Sequence, residues 1–265
     1  MHKLPSYFLT RPVNVDVVGA GGTGSQMLSG LARLHRALLA VGHPGGLDVT
    51  VYDPDHVSAA NVGRQLFYDA DIGQSKADVL VHRLNQCFGT AWCAQNKRFA
   101  LEHSHRIDLV IGCVDSAASR RTIHQLCTQR RVSYWLDLGN RAGDGQCVLG
   151  EPLQGRDWYM RLPTVMDLFP ELLDESRIED DAPSCSLAEA LERQELFVNQ
   201  AIATAALQLL WQLFRYGEIP YHGLFVNLAR GSTTNLPVDR DAWRRFGFRG
   251  ARKPPTRGAK PAKMA

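Results

Sequence analysis

The stretch DVVGAGGTGSQM, Asp16–Met27, decides how the rest of the chain is read. A β-branched run, Val13–Val18, ends in Gly-x-Gly-x-x-Gly (Gly19, Gly21, Gly24), and a helical pattern follows over residues 25–42. Gly19 permits the tight turn, Gly21 lets backbone approach a phosphate, and Gly24 allows close packing of helix on strand. Gly22 belongs to the same turn, and amides at the helix N-terminus attract the anion. A simple tight turn with no ligand has the same glycines. So does a site for either a redox dinucleotide or ATP, and residues beyond the turn must make the choice.

Outward from the turn, residues 47–53 read as a second strand, 75–88 as a helix, 107–116 as a strand entering a turn, 117–131 as a helix and 132–139 as another strand. That alternation predicts an α/β, Rossmann-like doubly wound fold whose mostly parallel sheet is covered on both faces. Ligands of such sheets sit at the carboxyl ends of the strands. Residues 151–184 show little periodicity and hold Glu171, Asp174, Glu175, Glu179, Asp180 and Asp181, which predicts a long crossover loop up to residue 185. Residues 186–214 read as one long buried helix, and 223–239 as a late strand and its extension. One domain over 1–248 is expected, followed by a disordered basic tail at 249–265.

The chain has 265 residues and a net charge of +3, but the tail alone holds six Lys/Arg and no acid, so the remainder carries −3 (+3 less six). A solvated tail is the plainer reading, and a nucleic-acid partner is not expected. No apolar run is long enough to span a membrane, and MHKLPSYFLTRP at the start lacks the apolar core of a signal peptide, so a cytoplasmic location is expected. None of the six cysteines (Cys87, Cys93, Cys113, Cys127, Cys147, Cys185) forms a C-x-x-C pair. Zinc-ribbon spacing is therefore missing, and most of them are expected to be buried free thiols. His103 and His105 have no third ligand nearby and read as a surface loop.

The residues downstream choose the ligand. Asp53 ends the second strand, where an acid binds ribose hydroxyls, with Asp55 as the alternative. NVGRQ supplies Asn61, Arg64 and Gln65, and GQSK supplies Lys76. A redox enzyme needs no such array beside a pyrophosphate, whereas cleavage of ATP relies on clamping developing charge. Arg64 offers a rigid fork and Lys76 a point charge, although either alone would pass for a solvated surface group. In CVDS, Asp115 falls just past a strand end, where a carboxylate holds Mg2+ or caps the following helix.

GAGGTG, Asp53, N-x-x-R-Q, G-x-x-K and C-x-D-S, in this order, resemble the ThiF/MoeB family of ubiquitin-like-protein activating enzymes. The likeness is best over residues 13–140, and PSCSLAEAL is similar to the ThiF-related member of the ParB-related, ThiF-related bacterial cassette (PRTRC). The resemblance implies ATP-dependent adenylation of the C-terminal carboxylate of a ubiquitin-like or sulfur-carrier-like small protein. It assigns Asp53 to ribose, Asn61, Arg64, Gln65 and Lys76 to phosphates, and Asp115 to Mg2+. It further implies a homodimer and a conjugating-enzyme-like partner.

The chain departs from that family in two respects. Many relatives carry two C-x-x-C pairs for zinc, and none stands here, so no zinc is expected. Relatives often open with a helix whose arginine reaches the neighbouring subunit; here Arg11 is the sole arginine before the first strand. Either Arg11 substitutes for it, or the site is completed differently. Cys185 precedes Ser186–Glu189, a capping-box pattern, and a thiol at a helix N-terminus has a lowered pKa. It is a candidate to take the activated acyl group as a thioester, or else a thiol tucked beneath the loop. Cys113 falls inside a strand, where burial makes it a poorer nucleophile. Adenylation of a peptide or tRNA-linked carboxylate, an NAD(P)-dependent oxidoreductase, and a non-catalytic nucleotide-binding adaptor are the competing functions.

Overall fold

The computed structural model describes residues 1–100, 106–152, 161–174 and 195–248. Its centre is an eight-stranded sheet in the order β10-β9-β7-β6-β5-β2-β3-β4. Strands β2 (Val13–Val18), β3 (Leu47–Tyr52), β4 (Cys93–Gln95), β5 (Leu109–Gly112) and β6 (Tyr134–Asn140) run parallel. Strands β7 (Asp144–Gly150), β9 (Tyr221–Asn227) and β10 (Ser232–Pro237) extend it antiparallel beyond β6. A separate two-stranded pair joins β1 (His2–Lys3) to β8 (Glu218–Ile219).

The parallel strands read as near-continuous apolar runs because both faces are covered; β5 is buried throughout. Right-handed crossovers place α1 (Gly22–Ala40) and α2 (Lys76–Phe88) on one face and α3 (Ala117–Arg130) on the other. The doubly wound α/β expectation is met. The chain proceeds from β2 to β3 and β4 on one side, then returns to β5 on the other side of β2 and continues to β6. The strand order thus reverses between β2 and β5, and ligands of such sheets bind outside the carboxyl ends of the strands at that point.

A short helix, α4 (Val165–Leu168), precedes α5 (Val198–Tyr216), and α6 (Arg240–Arg244) follows β10. Helix α5 packs along α1 on the sheet, so closely that a Cβ at Gly30 would collide with the Leu207 side chain.

Several expectations change. The stretch at 151–184 is not featureless where described: Leu162, Val165, Met166 and Leu168 are buried, which fixes α4 against β7. The helix expected over 186–214 is seen from Val198 to Tyr216, residues 186–194 lying outside the described residues. The late strand is a hairpin, β9 and β10, and β7 had no strand signal because Gly145, Gly150 and the polar residues of its first half break its alternation. Among the described cysteines all are free; Cys127 and Cys147 are buried, but Cys87 and Cys93 are exposed, so burial is not the rule. Among the described residues no helix is long and apolar enough to cross a membrane.

Candidate nucleotide site at the strand-order reversal

The glycine turn runs from the end of β2 into α1. Gly19 adopts a φ of +96°, a backbone shape that favours glycine, and a Cβ there would lie 2.6 Å from the carbonyl oxygen of Cys113. A Cβ at Gly24 would collide with the Gly19 carbonyl, so this glycine serves the close approach of helix to turn. At Gly22 the nearest atom would be the side-chain nitrogen of Asn199, at 2.7 Å. Gly21 differs from the others: its Cβ position has only Gln65 Oε1 near it, at 3.9 Å. The turn is therefore packed on three of its glycines and open at the one expected to face phosphate.

The end of β3 supports this turn. Asp53 accepts a hydrogen bond from Ala20 N at 2.6 Å on one carboxylate oxygen and from Asp55 N at 2.8 Å on the other. Burial pushes its carboxyl pKa up, while those two amides and the Lys76 charge oppose the shift. Asp53 is thus first a latch on the glycine turn, a role that sequence position alone did not reveal. Lys76 opens α2, after the N-cap Ser75, and its ammonium pairs with Asp55 Oδ2 at 3.0 Å. The Lys76 side chain is 11% exposed and that of Asp55 64%, so the alternative candidate for ribose instead holds the lysine at the rim.

Residues 58–66 form the adjoining wall. Asn61 Oδ1 accepts from Ser58 N at 2.9 Å, and Gln65 N donates to the Asn61 carbonyl at 3.0 Å, so Asn61 shapes the loop. The amide of Leu66 donates to Ser25 Oγ, tying the wall to the first turn of α1. Gln65 is buried, and its Oε1 has no hydrogen-bond partner among the described residues. A buried acceptor without a partner is costly, and this one lies beside the open face of Gly21. Arg64 is half-buried, and burial lowers its guanidinium pKa.

On the other side of β2, Cys113 N donates to Val18 O at 2.8 Å, joining the ends of β5 and β2. Cys113 lies one residue past β5 rather than inside the strand as expected, but burial still pushes its thiol far up and makes it a poor nucleophile. Asp115 is exposed on the loop into α3, and the N-cap of that helix is Ser116, whose hydroxyl accepts from Ser119 N. The helix-capping alternative for Asp115 therefore falls. Among the described residues its carboxylate has no hydrogen-bond or ion-pair partner.

Two buried polar groups escaped the sequence reading. Thr23 Oγ1 donates to Asn199 Oδ1 at 2.7 Å, and Asn140 Nδ2 reaches the same oxygen, tying the turn to α5 and to the end of β6. Arg120 of α3 and Asp137 of β6 form a buried ion pair at 3.1 Å. The signals were an asparagine opening an apolar helix and an acid interrupting an apolar strand.

Arg11 is elsewhere. Both its terminal nitrogens donate to Asp108 at 2.7 Å, at the amino ends of β2 and β5 and hence opposite the glycine turn. Cys185, His103, His105, the acids from Glu175 to Asp181 and the basic tail lie outside the described residues. Among the described residues no three His, Cys, Asp or Glu side chains form a group that could hold a metal by themselves.

Comparison with known proteins identifies the family and the fold. The chain is 29% identical over 162 residues to ubiquitin-like modifier-activating enzyme 5 of Arabidopsis thaliana, covering 52% of this chain and 35% of that protein. It is 30% identical over 140 residues to the NEDD8-activating enzyme E1 catalytic subunit of Caenorhabditis elegans, covering 48% of this chain and 30% of that protein. It thus spans about a third of the length of these relatives. The E. coli MccB crystal structure shares the fold with a TM-score of 0.59 at 15% identity, covering 86% of this chain and 63% of MccB. PaaA does so with a TM-score of 0.56 at 13% identity, covering 85% of this chain and 64% of PaaA. The ThiF family description matches residues 10–240, most of the chain, and the protein belongs to the ThiF family.

Proposed function

We propose that this chain adenylates the C-terminal carboxylate of a small ubiquitin-like or sulfur-carrier-like protein, with ATP as co-substrate and release of pyrophosphate. The observation that carries the reading is an open Gly21 beside the buried Gln65 Oε1, which has no partner among the described residues, with Lys76 held by Asp55 and an exposed Asp115 on the loop after β5. Gly21 gives backbone access to phosphate, Gln65 presents an amide to the nucleotide, and Arg64 and Lys76 neutralise phosphate charge. The Asp53 carboxylate, with two oxygens each accepting one amide, retains lone pairs for ribose. Asp115 supplies a hard oxygen for Mg2+, which is commonly held by one or two carboxylates together with substrate phosphates. The substrate carboxylate attacks the α-phosphate in line, and its oxygen takes the place of pyrophosphate. A nicotinamide-dependent reaction leaves Arg64, Lys76 and Asp115 without a task.

The finer assignments belong to the same proposal: a cytoplasmic homodimer, Cys185 as acceptor of the acyl group, a PRTRC-type setting, and a conjugating-enzyme-like protein downstream. ATP–pyrophosphate exchange with a small glycine-terminated protein encoded beside this chain tests the activity. Isotope exchange dependent on that protein is the expected result, and NADH binding stronger than ATP binding would overturn it. For Cys185, replacement by Ala should abolish a thiol-sensitive adduct while exchange continues; an adduct that persists rejects the assignment. Light scattering at micromolar concentration should report twice the chain mass of 29.4 kDa.

A further inference from the structure

A carboxylate at the rim holds a cation in place only if the backbone beneath it is itself held. The Asp115 loop is anchored at its far end by Ser116, which caps α3, but that bond fixes nothing before residue 116. Arg120 holds the two residues before it: Nη2 donates to the Val114 carbonyl at 2.8 Å, and Nη1 to the Asp115 carbonyl at 3.1 Å. The guanidinium is in turn seated on β6. Its Nε donates to the two Asp137 oxygens at 3.1 and 3.3 Å, and Nη2 also reaches the Leu138 carbonyl at 3.4 Å. Arg120 is 7% exposed and Asp137 is 0% exposed. A buried ion pair is poor support for stability, since apolar residues fill such space at least as well. The fork does what apolar packing cannot: one planar group fixes the loop after β5 against the strand beside it.

We propose that Arg120 is a positioning residue for the nucleotide site, seated on Asp137 and holding the Val114 and Asp115 carbonyls so that the Asp115 carboxylate stands where the metal needs it. The inference rests on the reading of Asp115 as the Mg2+-facing group. Lysine keeps the charge but lacks the fork, so Arg120→Lys loosens the loop while leaving the glycine turn, Gln65 and Lys76 intact. Asp137→Asn keeps the fork's carbonyl contacts and weakens its seat.

The test is Mn2+ binding to the full chain with a non-hydrolysable ATP analogue, read by electron paramagnetic resonance. Binding of the analogue without metal and thermal unfolding are measured alongside. Wild type should bind Mn2+ only with the analogue, and Asp115→Asn should reduce this to background. Arg120→Lys should weaken Mn2+ binding by about tenfold, the usual cost of losing a group that orients a ligand, with analogue affinity kept. Asp137→Asn should move it in the same direction and decides the matter if Arg120→Lys fails to fold. Mn2+ affinity unchanged in the folded variants overturns the positioning role while the reading of Asp115 stands. So does loss of analogue and metal binding together. A wild type that binds no Mn2+ with the analogue, or an Asp115→Asn that binds it normally, brings down both.

Discussion

Asp53 Oδ2 accepts a hydrogen bond from the amide of Ala20 at 2.6 Å, and through that bond the end of β3 holds the glycine turn at the end of β2. Two turns that would each be mobile alone fix one another, and the open face of Gly21 gains a defined direction. Asp53→Asn places an amide nitrogen opposite one of the two donors, Ala20 N or Asp55 N. The expected loss is about 2 kcal/mol of stability, typical for a hydrogen bond to a charged group. ATP affinity should fall with it, as checked by urea unfolding and calorimetric titration.

The glycines of the turn should separate by role. At Gly24 an added methyl collides with the Gly19 carbonyl, so Gly24→Ala should destabilise the fold by about 1–3 kcal/mol, the range for overpacking. At Gly21 the methyl meets only Gln65 Oε1 at 3.9 Å, so Gly21→Ala should melt close to wild type and lose nucleotide binding. Equal melting shifts in the two variants would contradict the assignment of the open face.

Lys76 pairs with a largely exposed Asp55, so the pair adds less than about 1 kcal/mol to stability. Lys76→Ala should therefore fold normally. Exchange should drop by about a hundredfold or more, the scale seen on removing one preorganised charge-stabilising group. Steady-state exchange beside thermal unfolding separates the two effects.

Stability should fall in acid for a reason located far from the site. His222 Nδ1 donates to the Leu149 carbonyl at 2.8 Å, its Nε2 is buried without a partner among the described residues, and the Trp243 ring edges against it. Burial lowers its pKa from 6.5 to about 4. The unfolded chain thus binds the proton first, and stability contributed by the neutral ring is lost as pH falls from about 6.5 to about 4. The full difference is on the order of 3 kcal/mol. His2, also lowered to about 4, adds in the same direction. Urea midpoints across this range check the slope, and a flat profile for wild type would count against it.

The glycine turn and the strand ends beside Asp53 and Asp115 were legible because each depends on local backbone geometry. Of the antiparallel strands, β9 and β10 were read as one late strand and its extension, and β7 was not read at all. In β7 the glycines erase the period-two pattern, and its place comes from pairing with β6 and β9. Helix α4 escaped because its four residues are too few to show a period; contact with β7 stabilises it.

By itself, then, the sequence determined the doubly wound fold class and the glycine turn between β2 and α1, since strand–turn–helix chemistry is written within a few neighbouring residues. Only the tertiary structure decided which residues serve each other. It turned Asp53 into a latch, gave the capping of α3 to Ser116 and left the Asp115 carboxylate without a partner among the described residues. It took Arg11 to the opposite end of the sheet, and it joined Arg120 to Asp137, Thr23 to Asn199. Those pairs are far apart in the chain, and their hydrogen bonds exist only once packing has excluded the water that would otherwise satisfy them.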